Sequence, residues 1–310
     1  MTGQTPEIVF AGHLVQEMIH FPDRELGPVL GSPVAYGSLT ASRLGGRAGL
    51  VSIVGTDMPP ALLQPLRAAG VDLSGLQLLE GKHTTRSQLV YDESGHKQIR
   101  YPQQAPPVLP GHVPTQFRDA PVVAVVTMDH DLPLTTIRRL RQLPGALAVD
   151  LGGYGGAHSR ARPDAAAQKD PRALPELIAC FDIVRASVED CALLAGAAAV
   201  ADDAALRATL AGWLAQGPAV AMITLGERGC LLGTADGIRQ IPAQAGPVVD
   251  TTGAGDAFFS AFLLHWLRHD DAAAAARFAA AAVMPVIGRS GGAHLERFPQ
   301  LADVVLQPDS

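Results

Sequence analysis

The sequence predicts an α/β fold built on a mainly parallel sheet, and three observations predict it. Short runs rich in Val, Ile and Leu alternate with helix-spaced segments along most of the chain. The runs are apolar throughout, and turn or small residues close almost every one. Strands buried on both faces read as continuous apolar runs, and strands separated by helices pair in parallel through right-handed crossovers. In such sheets ligands sit beyond the carboxyl ends of the strands, so the residues just after each run are where chemistry is expected. A chain of 310 residues, 47% hydrophobic and 17% charged, can bury a full core and carries no mark of disorder.

In chain order, residues 8–12 read as the first strand, ended by Gly12. Residues 13–33 read as irregular and turn-rich, with Glu17 as an ordinary solvated acid. Small residues from Gly31 lead into a helix that stops at Gly45-Gly46. Residues 50–55 form a second buried strand with Thr56-Asp57 at its end, and 61–69 a helix closed by Gly70. Residues 86–91 and 96–101, joined by Asp92-Glu93-Ser94-Gly95, read as a hairpin too polar for the sheet centre. Such a hairpin suits an edge extension, or a lid that excludes water from a ligand. Strands follow at 122–126, 146–150, 183–184 and 220–224, and helices at 134–143, 174–179, 188–194 and 204–215. A glycine-rich stretch occupies 152–156, and an alanine-rich helix 272–282. This order puts Gly12, Asp57, Asp150, Ser187, Thr224 and Gly226 on one rim of the sheet.

The densest signal is Asp250-Thr251-Thr252-Gly253-Ala254-Gly255-Asp256, followed by apolar residues at 258, 259, 262, 263, 266 and 267. Small residues allow a tight turn, and the spacing after them is helical. The first amides of a helix lack internal partners and carry the positive end of its dipole, so Gly253, Ala254 and Gly255 form a place for an anion. Asp256 has two readings. It caps the helix, or it is a carboxylate poised to take a proton from a hydroxyl that receives a phosphoryl group.

Composition narrows the partners. A formal net charge of −6 without any block of Lys and Arg excludes nucleic acid as the main partner. Cys180, Cys191 and Cys230 lack metal-ligand spacing and sit among apolar neighbours, as buried free thiols of a reducing compartment do. The first residues lack the basic start and apolar stretch of a signal peptide, and no apolar run reaches membrane-spanning length. A cytoplasmic location without a membrane partner is expected.

The 250–256 run resembles the C-terminal signature of the ribokinase-like (PfkB) family of carbohydrate and nucleoside kinases. Residues 31–45, ending in Arg43-Leu44-Gly45, resemble the family's N-terminal signature, and Gly55-Thr56-Asp57 its Gly-x-Asp. Residues 182–190 resemble the Asn-x-x-Glu segment, and 223–229 the strand and turn that meet the nucleotide. The resemblance implies a ribokinase-like three-layer α/β/α sandwich with a mainly parallel central sheet and a small β lid. Residues 1–310 would be a single kinase domain, with the lid an insertion drawn from about 13–33 and 84–104.

It also implies roles. Asp256 would be the general base, and the amides of Gly253, Ala254 and Gly255 the anion hole. Thr224, Gly226, Gly229, Thr252, Ser187 and Gly288, with the rest of 288–292, would hold ATP. Mg²⁺ would sit near Glu189 and Asp190 and reach them through water. Glu17, Gly31, Ser32, Tyr36, Asp57 and Arg86 would hold the acceptor, a sugar, cyclitol or nucleoside. A monovalent-cation activator and a homodimer paired through the lid stay open.

Departures from the family pattern fall mostly on the acceptor side: Ser32 replaces a glycine, Tyr36 an asparagine and Glu17 an aspartate. On the donor side, Ser187 replaces Asn and Asp190 replaces Glu. A catalytically weak or silent sensor that binds a sugar or nucleotide is the alternative. A nicotinamide-dependent oxidoreductase is set aside, because residues 12–17 carry one glycine instead of a dinucleotide fingerprint.

Overall fold

The computed structural model describes residues 4–93, 97–128, 131–154, 173–288, 295 and 298–306. In chain order the strands are β1 (Ile8–Ala11), β2 (Val15–His20), β3 (Glu25–Gly31), β4 (Ala48–Gly55), β5 (Asp72–Leu79), β6 (Thr85–Tyr91), β7 (Lys97–Gln103), β8 (Val122–Val126), β9 (Ala146–Asp150), β10 (Ile183–Ser187), β11 (Val220–Thr224), β12 (Cys230–Thr234) and β13 (Gly237–Ile241). The helices are α1 (Pro33–Arg43), α2 (Gln64–Ala68), α3 (Leu134–Leu140), α4 (Ala173–Ile178), α5 (Val188–Ala195), α6 (Asp203–Leu214), α7 (Ala254–His269) and α8 (Ala272–Ile287).

Nine strands form the main sheet in the order β13-β12-β11-β10-β9-β8-β1-β4-β5. All neighbours from β11 to β5 pair in parallel, and β12 and β13 close one edge antiparallel. Alternation along the strands divides the interior in two. Ile8 and Phe10 of β1, with Val122, Ala124 and Val126 of β8, face the core under α1, α7 and α8. Val9, Ala11, Val123 and Val125 face the core under α3, α4 and α6. The alanine-rich helix extends to Ile287, and its buried Ala275, Ala276, Ala279 and Ala282 belong to the first core.

A second sheet, ordered β3-β2-β6-β7, makes the lid. Its β6–β7 pair is the expected hairpin, whose turn at 94–96 lies outside the described residues. Residues 13–33 are not irregular: they supply β2 and β3, with a bulge between Glu17 and Ile19. Polar residues in Val-Gln-Glu-Met-Ile-His obscured that strand, because Glu17 faces the cavity between buried Val15 and Ile19. Glu17 is correspondingly 5% exposed, not solvated. Edge strands β5 and β13 were also illegible, since their half-polar sequences lack the continuous apolar run of a central strand, and β12 between β11 and β13 is a short run broken by Gly233.

All three cysteines are free thiols, Cys191 and Cys230 buried and Cys180 half-buried. Burial pushes the Cys191 and Cys230 thiols up to about 12 and raises Cys180 as well. A raised pKa means less thiolate at a given pH, so at pH 8 only about one part in 10⁴ of a thiol titrating near 12 is reactive. Iodoacetamide at pH 8 is expected to label native Cys180 slowly and to leave Cys191 and Cys230 intact, as read by peptide mass spectrometry. Labelling of Cys191 at the rate of Cys180 would contradict the buried arrangement.

Candidate active site

A cavity of about 320 Å³ opens between the lid and the carboxyl ends of the central strands. It brings together Glu17 of β2, Ser32 and Tyr36 at the start of α1, Asp150 at the end of β9, Ser187, Glu189 and Asp190 around the start of α5, and Thr251, Thr252, Gly253, Gly255 and Asp256 at the start of α7. The lid roofs it with Leu89 and Ile99, which face one another across β6 and β7.

The start of α7 is shaped by glycine. Gly253 is its N-cap residue at φ 78, a left-handed conformation open to glycine, and a Cβ there would lie 2.7 Å from the Phe298 ring. Gly253 itself has no side chain with which to cap this end. The Ala254 amide donates to the Thr251 carbonyl at 3.1 Å, and the Thr252 amide to Asp250 Oδ1 at 2.9 Å. Asp256 lies in the first turn, where the helix dipole favours a carboxylate.

Ser187 and Asp190 form a reciprocal cap on α5. Asp190 Oδ2 accepts from the Ser187 amide at 3.0 Å and from its hydroxyl at 2.7 Å, while Ser187 Oγ accepts from the Asp190 amide at 3.1 Å. Among the described residues no three His, Cys, Asp or Glu side chains gather into a metal cage. The donors present, Glu189 and Asp190, are hard carboxylate oxygens beside a phosphate-sized cavity. That fits Mg²⁺ held by one or two carboxylates, water and substrate phosphates.

Of the residues expected to hold the acceptor, Tyr36 is buried and stacks on Phe298, centroids 4.9 Å apart and planes 17° apart. Glu17 Oε2 accepts from the Ser87 hydroxyl at 3.0 Å, and Gly31 packs so closely that a Cβ there would lie 3.1 Å from the carboxylate. Ser32 caps α1 through a 3.3 Å bond from the Ala35 amide, at φ 115 and ψ 151. That region is essentially glycine territory and costs about 1–3 kcal/mol for another residue. Ser32→Gly is expected to raise stability by about 1 kcal/mol, since relief of strain outweighs a few tenths lost with the cap and the added freedom of the unfolded chain. A urea midpoint equal to or below wild type would contradict the strain.

Asp57 and Arg86 do not line the cavity. Arg86 bridges to Asp57 Oδ2 at 3.2 Å at the base of the lid, and the Thr84 amide donates to Oδ1 at 2.8 Å. Partial burial opposes the Asp57 charge, but these contacts and His83 hold its pKa below the usual value. Thr224, Gly226, Gly229 and Gly288 also lie off the cavity wall. Thr224 is tied to it through Arg185, and Gly229 turns the β11–β12 loop at φ 84, where a Cβ would meet the Ile241 carbonyl. Gly288 ends α8, and residues 289–292 lie outside the described residues, as do 155–156 of the glycine-rich stretch.

Sequence reasoning left out Arg185. It reaches from β10 to Asp150 Oδ2 at 2.5 Å and to Thr224 Oγ1 at 2.6 Å. Burial pulls it toward neutrality, but Asp150, Asp190 and Asp256 outweigh burial and raise its pKa above the ordinary arginine value. A single cation inside the buried run Ile183–Ser187 is the signal that could have found it.

A glycine-shaped helix start facing carboxylates under a β lid defines the class: a phosphotransferase acting on a small molecule. The profile of the pfkB family carbohydrate kinases matches residues 153–297, and the fold of the chain is ribokinase-like. A cytidine kinase of Thermococcus kodakarensis is 29% identical over 267 residues, covering 84% of this chain and 89% of that protein. A nucleoside kinase of Methanothermobacter thermautotrophicus is 27% identical, covering 84% and 79%. The fold is shared with the Arabidopsis thaliana ribokinase complexed with ribose and ATP, at a TM-score of 0.80 and 19% identity over 97% of this chain and 98% of that one. No described helix is long and apolar enough to cross a membrane.

Proposed function

We propose that the protein transfers the γ-phosphoryl group of ATP to a hydroxyl of a nucleoside, with Asp256 as general base. The observation that carries this reading is Asp256 in the first turn of α7, sharing one cavity with Gly253, Gly255 and the buried Glu17. The acceptor hydroxyl would give its proton to the Asp256 carboxylate as its oxygen attacks phosphorus. The amides at the start of α7 would offset charge on the phosphoryl oxygens, which is most of what such a transfer asks of a protein. Mg²⁺, reached through Glu189 and Asp190, would neutralise the phosphate chain when bound. The lid would exclude water that otherwise competes with the acceptor.

A nucleoside is preferred over a bare polyol because the cavity is divided in character. Glu17 offers a carboxylate to sugar hydroxyls, while Leu89, Ile99 and the Tyr36–Phe298 stack offer apolar and aromatic surface to a flat base. The cytidine kinase and nucleoside kinase relatives support the same choice.

ADP release with MgATP, measured across cytidine, uridine, adenosine, ribose, fructose and myo-inositol, tests the reading. A nucleoside is expected to give the highest kcat/KM. A sugar or inositol turned over faster would overturn the acceptor, and no acceptor-dependent ADP release at all would overturn the reaction.

A further inference from the structure

Five carboxylates line the cavity, those of Glu17, Asp150, Glu189, Asp190 and Asp256, and among its described lining residues Arg185 is the sole cation. A phosphate chain with several negative charges would be repelled there unless positive groups outweigh the acids. Arg185 is more than nine-tenths buried. It lies against the first turn of α7: a Cβ on Gly255 would sit 2.8 Å from both of its terminal nitrogens. Those nitrogens are held by Asp150 and Thr224, and its Nε has no acceptor among the described residues. An unmatched donor on a buried guanidinium beside a ligand-sized cavity leaves the polar needs of this side chain incompletely met by the protein.

We propose that Arg185 is a phosphoryl-binding residue of the donor site, contacting the group in transfer from the side of β10 while the α7 amides contact it from the helix; this rests on the phosphotransferase reading above. Asp150 orients the guanidinium and stays bonded. The Thr224 contact is with a neutral hydroxyl oxygen, so an arriving phosphoryl oxygen competes for the same N–H with a charge-assisted bond, the stronger of the two. In the transfer, the acceptor oxygen bonds to phosphorus, and the bond from phosphorus to the bridging oxygen breaks with its electron pair leaving on ADP. The acceptor proton goes to Asp256. Arg185 exchanges no proton; it offsets charge on the phosphoryl oxygens, for which a planar fork is better suited than an ammonium.

The test compares wild type with Arg185→Lys, Arg185→Gln and the paired Asp150→Asn/Arg185→Gln, which removes both charges so that Asp150 is not left buried alone. Each is followed by thermal melting, by kcat and KM for MgATP and acceptor, and by titration with a non-hydrolysable MgATP analogue. Arg185→Gln is expected to lower kcat about 10²–10³-fold, the range for loss of one transition-state donor. It should weaken the analogue, leave the acceptor KM unchanged and recover part of its activity in millimolar guanidinium. Arg185→Lys should fall between. If Arg185→Gln does not fold, the paired variant carries the same expectation for kcat and analogue affinity. A folded Gln or paired variant with wild-type kcat and wild-type analogue affinity overturns the role of Arg185 alone. Wild type that binds no MgATP analogue overturns the donor reading, and this inference with it. Wild type that binds the analogue but turns over no acceptor refutes the reaction, and the variants' affinities then decide whether Arg185 binds phosphate.

Discussion

Asp256→Asn is expected to lower kcat by about 10²–10⁴-fold, the usual worth of a positioned general base, while leaving the protein folded. Asparagine keeps the shape of the side chain. It forfeits the favourable interaction of a carboxylate with the helix N-terminus, worth about 0.3–1 kcal/mol at an exposed end. Asp256 is partly exposed in the first turn of α7, so the melting temperature should move by only a few degrees. Donor binding should separate from turnover. Removing one of five carboxylates from the cavity lowers repulsion toward a phosphate chain, so MgATP affinity should hold or rise as kcat collapses. Steady-state kinetics beside analogue titration reads both. An Asn variant with near wild-type kcat would return Asp256 to the capping reading that its position alone also allowed.

The parallel core and the α7 start were legible because each is written in contiguous residues. Val122–Val126 and Val220–Thr224 are continuous apolar runs, and the glycines of 253–255 adjoin the helix they open. The lid side of the cavity was less legible because it is assembled across distance. Glu17 meets Ser87 through the parallel pairing of β2 with β6, 70 residues apart. Residues 13–33 hide their strands because Glu17, turned to the cavity between buried Val15 and Ile19, interrupts the apolar alternation that marks a strand facing a core. Asp57 and Arg86 illustrate a different limit. Both stand near the site, but their charges satisfy one another at the lid base, and a motif position cannot show which partner a side chain has chosen. Arg185 was visible as a cation in a buried strand, yet its meaning depended on Asp150 and Thr224, 35 and 39 residues away along the chain.

Gly255→Ala is expected to cost both activity and stability, and magnitudes decide the sign. In a helix, alanine is favoured over glycine by about 0.5–1 kcal/mol, so propensity alone predicts a gain. The added methyl, however, would lie 2.8 Å from both terminal nitrogens of Arg185 and 3.1 Å from its central carbon. Arg185 cannot swing aside without loosening its contacts to Asp150 and Thr224, and forcing a methyl into so close a contact costs about 1–3 kcal/mol. Breaking the buried ion pair outright would cost about 3–5 kcal/mol, so α7 or the guanidinium should shift by part of an ångström instead. That displacement moves the α7 amides and Asp256 relative to the acceptor, and misplacement of about 1 Å reduces turnover by about 10²-fold. A lower urea midpoint with kcat reduced by up to about 10²-fold is therefore expected. The cause can be isolated by a double-mutant cycle: in an Arg185→Gln background, where the fork is gone, the stability cost of Gly255→Ala should shrink or reverse toward the helix-propensity gain. Equal costs in both backgrounds would mean that the glycine serves the helix start by itself, with no dependence on the arginine behind it.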